Sequence, residues 1–530
     1  MFKFSHMSYR SLSLLLFAFL LVNSFATHAL QTDSLVHLGE VNYNSSFEKE
    51  AFQDYFTKGK KNYLALFMSV SKETGSSEFA NAHQAYQETF KQLTTGDIQK
   101  KNEAKRIKAI YSQTHDRLLS KYELKNHFPD IFANGNYNCV SATALYGLLF
   151  DDLQIPYTIK ESPTHVYLIA YPHTQKILIE TTDPRQGYMV FDDKFKTSFV
   201  SNLRSGKLIS EQEYKSGSTN ALFDKYYFSE ENITIKELLG IQYMNDALYK
   251  LQENQLEEAF IQLEKAYLFY PCKKAGYLLL STAALILDKK NYAAVEDAKY
   301  LGKLARYTEY GISHDHIIAE FHRLTQLHLI NNNRPELYDT FYQKISSAIS
   351  DKALTQEIRY IYHYERSRIF FNQGRYQESL AFAEKTYILK PENIDVQTLF
   401  VSALGNSLKS QSDGTKVLEA LSTYEQKFPK LLNNNIFYTY LIQACLISCG
   451  QHYELKKIAE AERLRARFEK LFADKGKDIV DSNLIGRVYS TGAMHYFRAG
   501  NDAKAKALLT KGLEMAPNDY EMQRRLQLLK

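Results

Sequence analysis

A thiol, an imidazole and a carboxylate follow one another within one short stretch of this chain. Cys139 lies in Asn136-Tyr-Asn-Cys139-Val-Ser-Ala, His165 in Thr164-His165-Val-Tyr-Leu-Ile169, and Asp183 in Ile179-Glu-Thr-Thr-Asp183-Pro184. These types in this order suit nucleophilic catalysis: a thiolate attacks an acyl carbon, an imidazole moves the proton, and a carboxylate fixes the imidazole tautomer. The separations are 26 residues and 18 residues, each long enough for one helix and turn or for one hairpin.

The flanking patterns place each group on an element. After the loop Asn134-Gly-Asn-Tyr-Asn138, the residues Val140, Ala144, Leu145, Leu148 and Leu149 mark one face of a helix that begins near Cys139, with Asn138 as its cap. A thiol in the first turn of a helix meets unpaired N–H groups and the positive end of the dipole, which favour the thiolate. Beyond Pro156 the apolar period becomes two. Tyr157-Thr-Ile-Lys, His165 to Tyr171 and Lys176-Ile-Leu-Ile-Glu180 therefore read as strands, the last two joined over Pro172-His-Thr-Gln. His165 then opens one strand. Asp183 closes the next, held extended by Pro184. Glu180 competes for the carboxylate role, and strand alternation puts it on the opposite face from Asp183, so only one of the two faces His165. Tyr167 and Tyr171 share the His165 face. The N–H of Cys139 is the natural oxyanion donor, and the amide of Asn136 or of Asn138 is a candidate second donor. Upstream, Phe47 to Lys125 is helical in pattern, as in Ala104 to Leu119.

Over roughly residues 100 to 200 the sequence resembles the transglutaminase-like branch of the papain-like cysteine enzymes. The likeness rests on Asn138-Cys139 opening a helix, Pro163-Thr-His165-Val-Tyr-Leu in a strand, and Glu180-Thr-Thr-Asp183-Pro184 closing the next. It implies a Cys139, His165, Asp183 triad and acyl transfer through a thioester, to water or to an amine, on glutamine side chains or peptide bonds. Crosslinking members of that family carry a Trp near the nucleophile, and this chain has no Trp.

Past residue 236 the texture changes to paired amphipathic helices. A turn residue (Asn254, Gly374, Gly500) stands 17 residues before a closing proline (Pro271, Pro391, Pro517) in three places, with Ala259 and Ala505 twelve before theirs. This resembles the tetratricopeptide repeat, with good units around 240–273, 360–393 and 486–519. Asn291-Tyr292-Ala293 and Gly450-Gln-His-Tyr453 read as turns of degenerate units. The prolines are 120 and 126 residues apart, not multiples of 34, so irregular pairs lie between the good ones. Such a stack offers a concave face for a protein or peptide, or simply supports the domain before it.

Lys3 and Arg10 ahead of the apolar run Leu12 to Val22, with Ala26 and Ala29 following, have the layout of a secretory signal, and an uncleaved anchor is the alternative. Its removal takes the formal charge from +5 to +3, too little on 530 residues to imply nucleic-acid binding. The cluster Lys100 to Lys108 reads as a solvated helix face. Cys445 and Cys449, four apart on a helix, are too far apart for a disulfide, and with Cys272 they read as small buried residues. No zinc spacing is present, and neither metal nor cofactor is expected.

The expected plan is a signal over 1–29, a helical region over 30–125 packed on the catalytic-like domain, a transglutaminase-like core over 126–225, and repeats over 226–530. The fold class is an α+β papain-like/transglutaminase-like domain, its Cys-bearing helix packed on antiparallel sheet, followed by an all-α tetratricopeptide-type solenoid. The expected function is that of an exported, periplasmic or secreted, cysteine amidase, peptidase or acyltransferase whose protein or peptide substrate is held by the repeats. The alternative is an inactive protein-binding scaffold.

Overall fold

The computed structural model describes residues 35–182, 187–306, 310–477 and 479–529; the expected signal segment and Asp183 lie outside them. The chain divides into two compact units, one reaching Ile317 and the other beginning at Ile318.

The first unit opens with helices α1 (Ser46–Phe56), α2 (Tyr63–Met68), α3 (Ser76–Leu93), α4 (Gly96–Gln99) and α5 (Glu103–Leu118). Strand β1 (Lys121–Tyr122), helix α6 (Asp130–Asn134) and strand β2 (Asn136–Tyr137) lead to α7 (Cys139–Asp152). Every residue of α7 from Val140 to Phe150 is buried. A helix apolar all round belongs at the centre of a core, and this one lies there. Strands β3 (Tyr157–Ser162), β4 (His165–Ala170), β5 (Ile177–Ile179) and β6 (Tyr188–Met189) form an antiparallel sheet, and β7 (Glu231–Ile233) joins the far edge, giving the order β6-β5-β4-β3-β7. Ser162 pairs with His165 across the tight Pro163-Thr164 turn, which sets His165 at the very start of β4.

One face of the sheet packs on α7, where Thr143 Oγ1 donates to the Val166 carbonyl at 3.3 Å. Tyr167, Ile169 and Leu178 on the other face are covered by Phe191, Val200, Ile209, Leu222 and Phe223. Those come from α8 (Asp193–Ser205), α10 (Thr219–Tyr227) and the segments beside them, with α9 (Glu211–Ser216) between the two helices. The predicted helix, its Asn138 cap and the three predicted strands are all present. The strands β6 and β7 are two and three residues long, too short to show a period.

Helices α11 (Ile235–Gln252), α12 (Leu256–Phe269), α13 (Lys273–Lys290) and α14 (Ala298–Ala305) also belong to the first unit. The boundary expected at 225/226 is therefore not where the compact units divide. The physical reason is a shared interior. Phe52 of α1 meets Tyr243 and Phe269 with ring centroids 6.0 and 5.2 Å away. Lys265 of α12 donates to both carboxylate oxygens of Glu48 at 2.8 Å and to Gln262 Oε1 at 2.8 Å, with both charged side chains fully buried. Tyr243 adds a 3.0 Å bond to the same carboxylate.

The second unit is a succession of helices, α15 (His314–Leu324) spanning its start, then α16 (Pro335–Ala348), α17 (Lys352–Asn372), α18 (Tyr376–Leu389), α19 (Ile394–Leu408) and α20 (Gly414–Lys427). It ends with α21 (Asn435–Glu454), α22 (Ile458–Leu471), α23 (Ser482–Arg498), α24 (Asp502–Met515) and α25 (Tyr520–Leu528). The chain is mostly helical, and the three predicted hairpins are α11/α12, α17/α18 and α23/α24. Their turn residues share one left-handed backbone: φ is +61° at Asn254, +75° at Gly374 and +72° at Gly500. Ala259 and Ala505 are fully buried where the paired helices approach. Ser379 fills the same place in the middle hairpin, donating to the Ser367 carbonyl at 2.9 Å.

One expected turn is corrected. Gly450-Gln-His-Tyr453 lies inside α21, and the reversal falls at Lys456, whose φ is +58°. Cys445 and Cys449 are free and buried, bonded to the Leu464 and Ala461 carbonyls. Cys272, half-buried, precedes α13. Among the described residues no helix is long and apolar enough to cross a membrane.

Candidate functional site

Cys139 is the first residue of α7, and the loop before it is tied down to hold it there. Asn138 Oδ1 accepts from the Ser141 N–H at 2.9 Å while Ser141 Oγ accepts from the Asn138 N–H at 2.9 Å, a reciprocal cap. The cap satisfies the third N–H of the helix. Among the described residues none accepts from the N–H of Cys139.

His165 stands at the opening of β4, near enough to this helix start for its imidazole and the Cys139 side chain to perturb each other. Its Nε2 meets Glu180 Oε2 at 3.1 Å, which leaves Nδ1 as the ring nitrogen for the sulfur. Strand alternation explains the pairing. Tyr167, two residues along β4 from His165 and across from the Glu180 position, shares one sheet face with both, and its ring stacks beside His165 with centroids 6.0 Å apart. Tyr171, expected on that face, instead lies in the β4–β5 turn with φ +51°, and its hydroxyl accepts from Arg106.

Glu180 is in turn fixed by Thr182, whose N–H and hydroxyl donate to Oε1 at 2.9 and 2.5 Å. Each carboxylate oxygen therefore has a donor. The sequence weighed Glu180 against Asp183 for this role, and the described geometry has Glu180 on the imidazole. Thr182 carries no signal of its own in the sequence, because a threonine beyond a strand end is unremarkable until its neighbour's carboxylate bends toward it.

The electrostatics follow from these contacts. The Cys139 side chain first, and then the bond to Glu180, outweigh burial and raise the His165 pKa from 6.5 to about 10. Burial alone would raise Glu180, but the bonds from His165 and Thr182 bring it from 4.5 down to about 2. Their side chains are 27% and 22% exposed, so the pair is shielded without being sealed from solvent. An imidazolium held charged at neutral pH beside a thiol is an arrangement that activates sulfur nucleophiles.

The two expected oxyanion amides fare differently. Asn138 is corrected: its Nδ2 is spent on the Leu124 and Asn126 carbonyls at 3.2 and 3.3 Å and its Oδ1 on the cap, so it has no hydrogen left for an oxyanion. Asn136, half-buried in β2, has its main chain engaged by Asn134 and Asn126. The other thiols are in unreactive places. Burial raises Cys272, pushes Cys445 up to about 11, and raises Cys449 further. Among the described residues no three His, Cys, Asp or Glu side chains gather as metal ligands.

No family model matches the chain, and no curated protein matches it. Among solved structures, the P58(IPK) TPR domain shares 13% identity at a TM-score of 0.19, covering 63% of this chain and 96% of its own. The Cut9-Hcn1 hetero-tetramer of the APC/C shares 13% at a TM-score of 0.13, covering 91% of this chain and 69% of its own. Superpositions this loose carry neither fold nor function across. The helical-repeat character of this chain rests on its own recurring hairpins.

Proposed function

We propose that the first unit is a cysteine-dependent acyl-transfer site that acts on an amide or peptide bond, in an exported protein. The observation that carries this reading is His165 held by Glu180 through Nε2 at 3.1 Å, near enough to Cys139 at the start of α7 for imidazole and sulfur to perturb each other. The sulfur of Cys139 attacks the substrate carbonyl carbon, forming a C–S bond and moving an electron pair onto oxygen. The N–H of Cys139, at the positive end of α7, is the donor that faces that oxygen. When the intermediate collapses the C–N bond breaks, and Nδ1–H of His165 gives its proton to the departing amine. Water or a second amine then attacks the thioester carbon, His165 takes the incoming proton, and the C–S bond breaks to restore the Cys139 thiolate beside the imidazolium. Glu180 supplies the fixed carboxylate that keeps the imidazole oriented and charged.

p-Nitrophenyl acetate tests this, with acid quenching and peptide mass spectrometry. The reading expects an acetyl group on Cys139 of the wild type, little on His165→Ala, slowed formation on Glu180→Gln and unchanged formation on Asp183→Asn. No acetyl group on Cys139, with nitrophenolate released at the rate of buffer alone, would refute it.

A second reading, that the repeats bind a protein or peptide, is favoured by a groove of about 780 Å³ in the second unit, lined by Arg487, Ser490, Met494 and Arg498 of α23 among others. That volume lies in the range of ligand-binding clefts. A photo-crosslinker at Met494 should give a discrete adduct in cells while one at exposed Thr510 gives none; equal yields from both would sink this reading.

A further inference from the structure

The cap that seats Cys139 is itself built on an irregular segment, Leu124 to His127, between β1 and α6. Asn126 is 1% exposed, accepts from Ser141 Oγ at 2.7 Å, and donates from Nδ2 to the Asn136 carbonyl at 2.8 Å. The carbonyls of Leu124 and Asn126 hold the amide of Asn138. Four hydrogen bonds thus join this segment to three residues around the nucleophile's helix start, Asn136, Asn138 and Ser141. A segment with no regular structure needs something outside it to fix its place.

That support comes from one face of α11, the first helix of the first hairpin. Tyr249 donates its hydroxyl to the Leu124 carbonyl at 2.7 Å. Asp246 Oδ1 meets His127 Nε2 at 2.8 Å, and the Tyr249 ring sits edge-on to the His127 ring with centroids 6.4 Å apart. Lys125 Nζ lies 5.7 Å from the Tyr249 ring centroid and 3.8 Å from Glu253 Oε1. Asp246, Tyr249 and Glu253 are spaced three and four apart, so they form one helical stripe. Asp246 is itself held by Gln262 of α12 and by Lys250 at 3.2 Å. Burial, and next the nearby Cys139 side chain, pushes the Tyr249 phenol up to about 12, which places the stripe within electrostatic reach of the sulfur.

We propose that α11 is part of the thiol site, with Tyr249 and Asp246 as positioning residues that set Cys139 through the Leu124–His127 segment. This rests on the cysteine-site reading above. The first helical hairpin is then not a separable binding module, because the reactivity of the thiol depends on it. Neither Tyr249 nor Asp246 touches the reacting atoms; they act through Leu124, His127 and Asn126.

The test is iodoacetamide labelling of the full chain at neutral pH, with the Cys139 rate divided by the Cys272 rate in the same sample and the melting temperature recorded alongside. Tyr249→Phe removes one hydroxyl and leaves the ring. His127→Ala removes the donor to Asp246, whereas His127→Gln restores one. The proposal expects the ratio to fall about three- to tenfold in Tyr249→Phe and in His127→Ala, the size of one lost hydrogen bond each. It expects a ratio within about twofold of wild type in His127→Gln, since a donor at that position is kept. An unchanged ratio in both Tyr249→Phe and His127→Ala overturns it, as does an equal fall in His127→Gln. A wild-type ratio near one would instead bring down the cysteine-site reading and this inference with it.

Discussion

The raised pKa of His165 is the residue-scale feature from which the proposed chemistry follows, and it also has a stability signature. A histidine raised from 6.5 to about 10 stabilises the fold fully below pH 6.5, and the contribution is lost as pH climbs through 10. A glutamate lowered from 4.5 to about 2 contributes fully above pH 4.5, and that is lost as pH falls through 2. The melting-temperature gap between wild type and Glu180→Gln should therefore be widest between pH 4.5 and 6.5 and close toward both extremes. Thermal melts across that range check it, and a gap that widens above pH 8.5 or so would contradict the assignment of the proton to His165. Cys139 and His165 were legible in the sequence because a cap, a helix start and a strand start each leave a local pattern. The choice between Glu180 and Asp183 was legible only as an alternation, since which parity faces the imidazole depends on how β5 pairs with β4.

At the scale of elements, the hairpins were legible through their turns, and the turns explain where the reading succeeded and where it slipped. Gly374 and Gly500 hold φ of +75° and +72° with open space around the missing Cβ, so a side chain there meets strain and no clash. Replacing either by Ala should cost roughly 1–2 kcal/mol, the penalty of an L-residue in the left-handed region. Gly374→Asn should cost less, because Asn254 already adopts φ +61° at the matching turn. Urea unfolding of the three variants measures this, and equal stability of Gly374→Ala and wild type would show that the turn relaxes. The turn at Lys456 was missed for the same reason inverted. A lysine at φ +58° gives no compositional warning, and Gly450 inside α21 gave a false one. There the glycine serves packing: a Cβ on it would lie 3.0 Å from Val488.

Over the whole molecule, the division of the chain follows its buried charges more than its repeat pattern. Lys265 and Glu48 are 217 residues apart and fully buried together, so the first hairpin and the N-terminal helices fold as one body. Periodicity cannot reveal such a pair, because each residue alone reads as a solvated charge. Lys265→Met strands the carboxylate and should destabilise the first unit by about 3–5 kcal/mol, whereas Glu48→Gln with Lys265→Met should lose less. Calorimetry should show the single variant lowering one transition and leaving that of the second unit in place; a uniform fall of the whole curve would argue against a local cause. The same whole-chain view supplies the most direct test of the cysteine site. Four thiols stand in four environments, and among the described residues it is Cys139 that has an imidazole of raised pKa nearby. Native labelling with limiting iodoacetamide at neutral pH, read by peptide mass spectrometry, should modify Cys139 well ahead of Cys272, Cys445 and Cys449, and His165→Ala should abolish that lead. Labelling of Cys139 no faster than Cys272, or a lead that survives His165→Ala, would contradict the account.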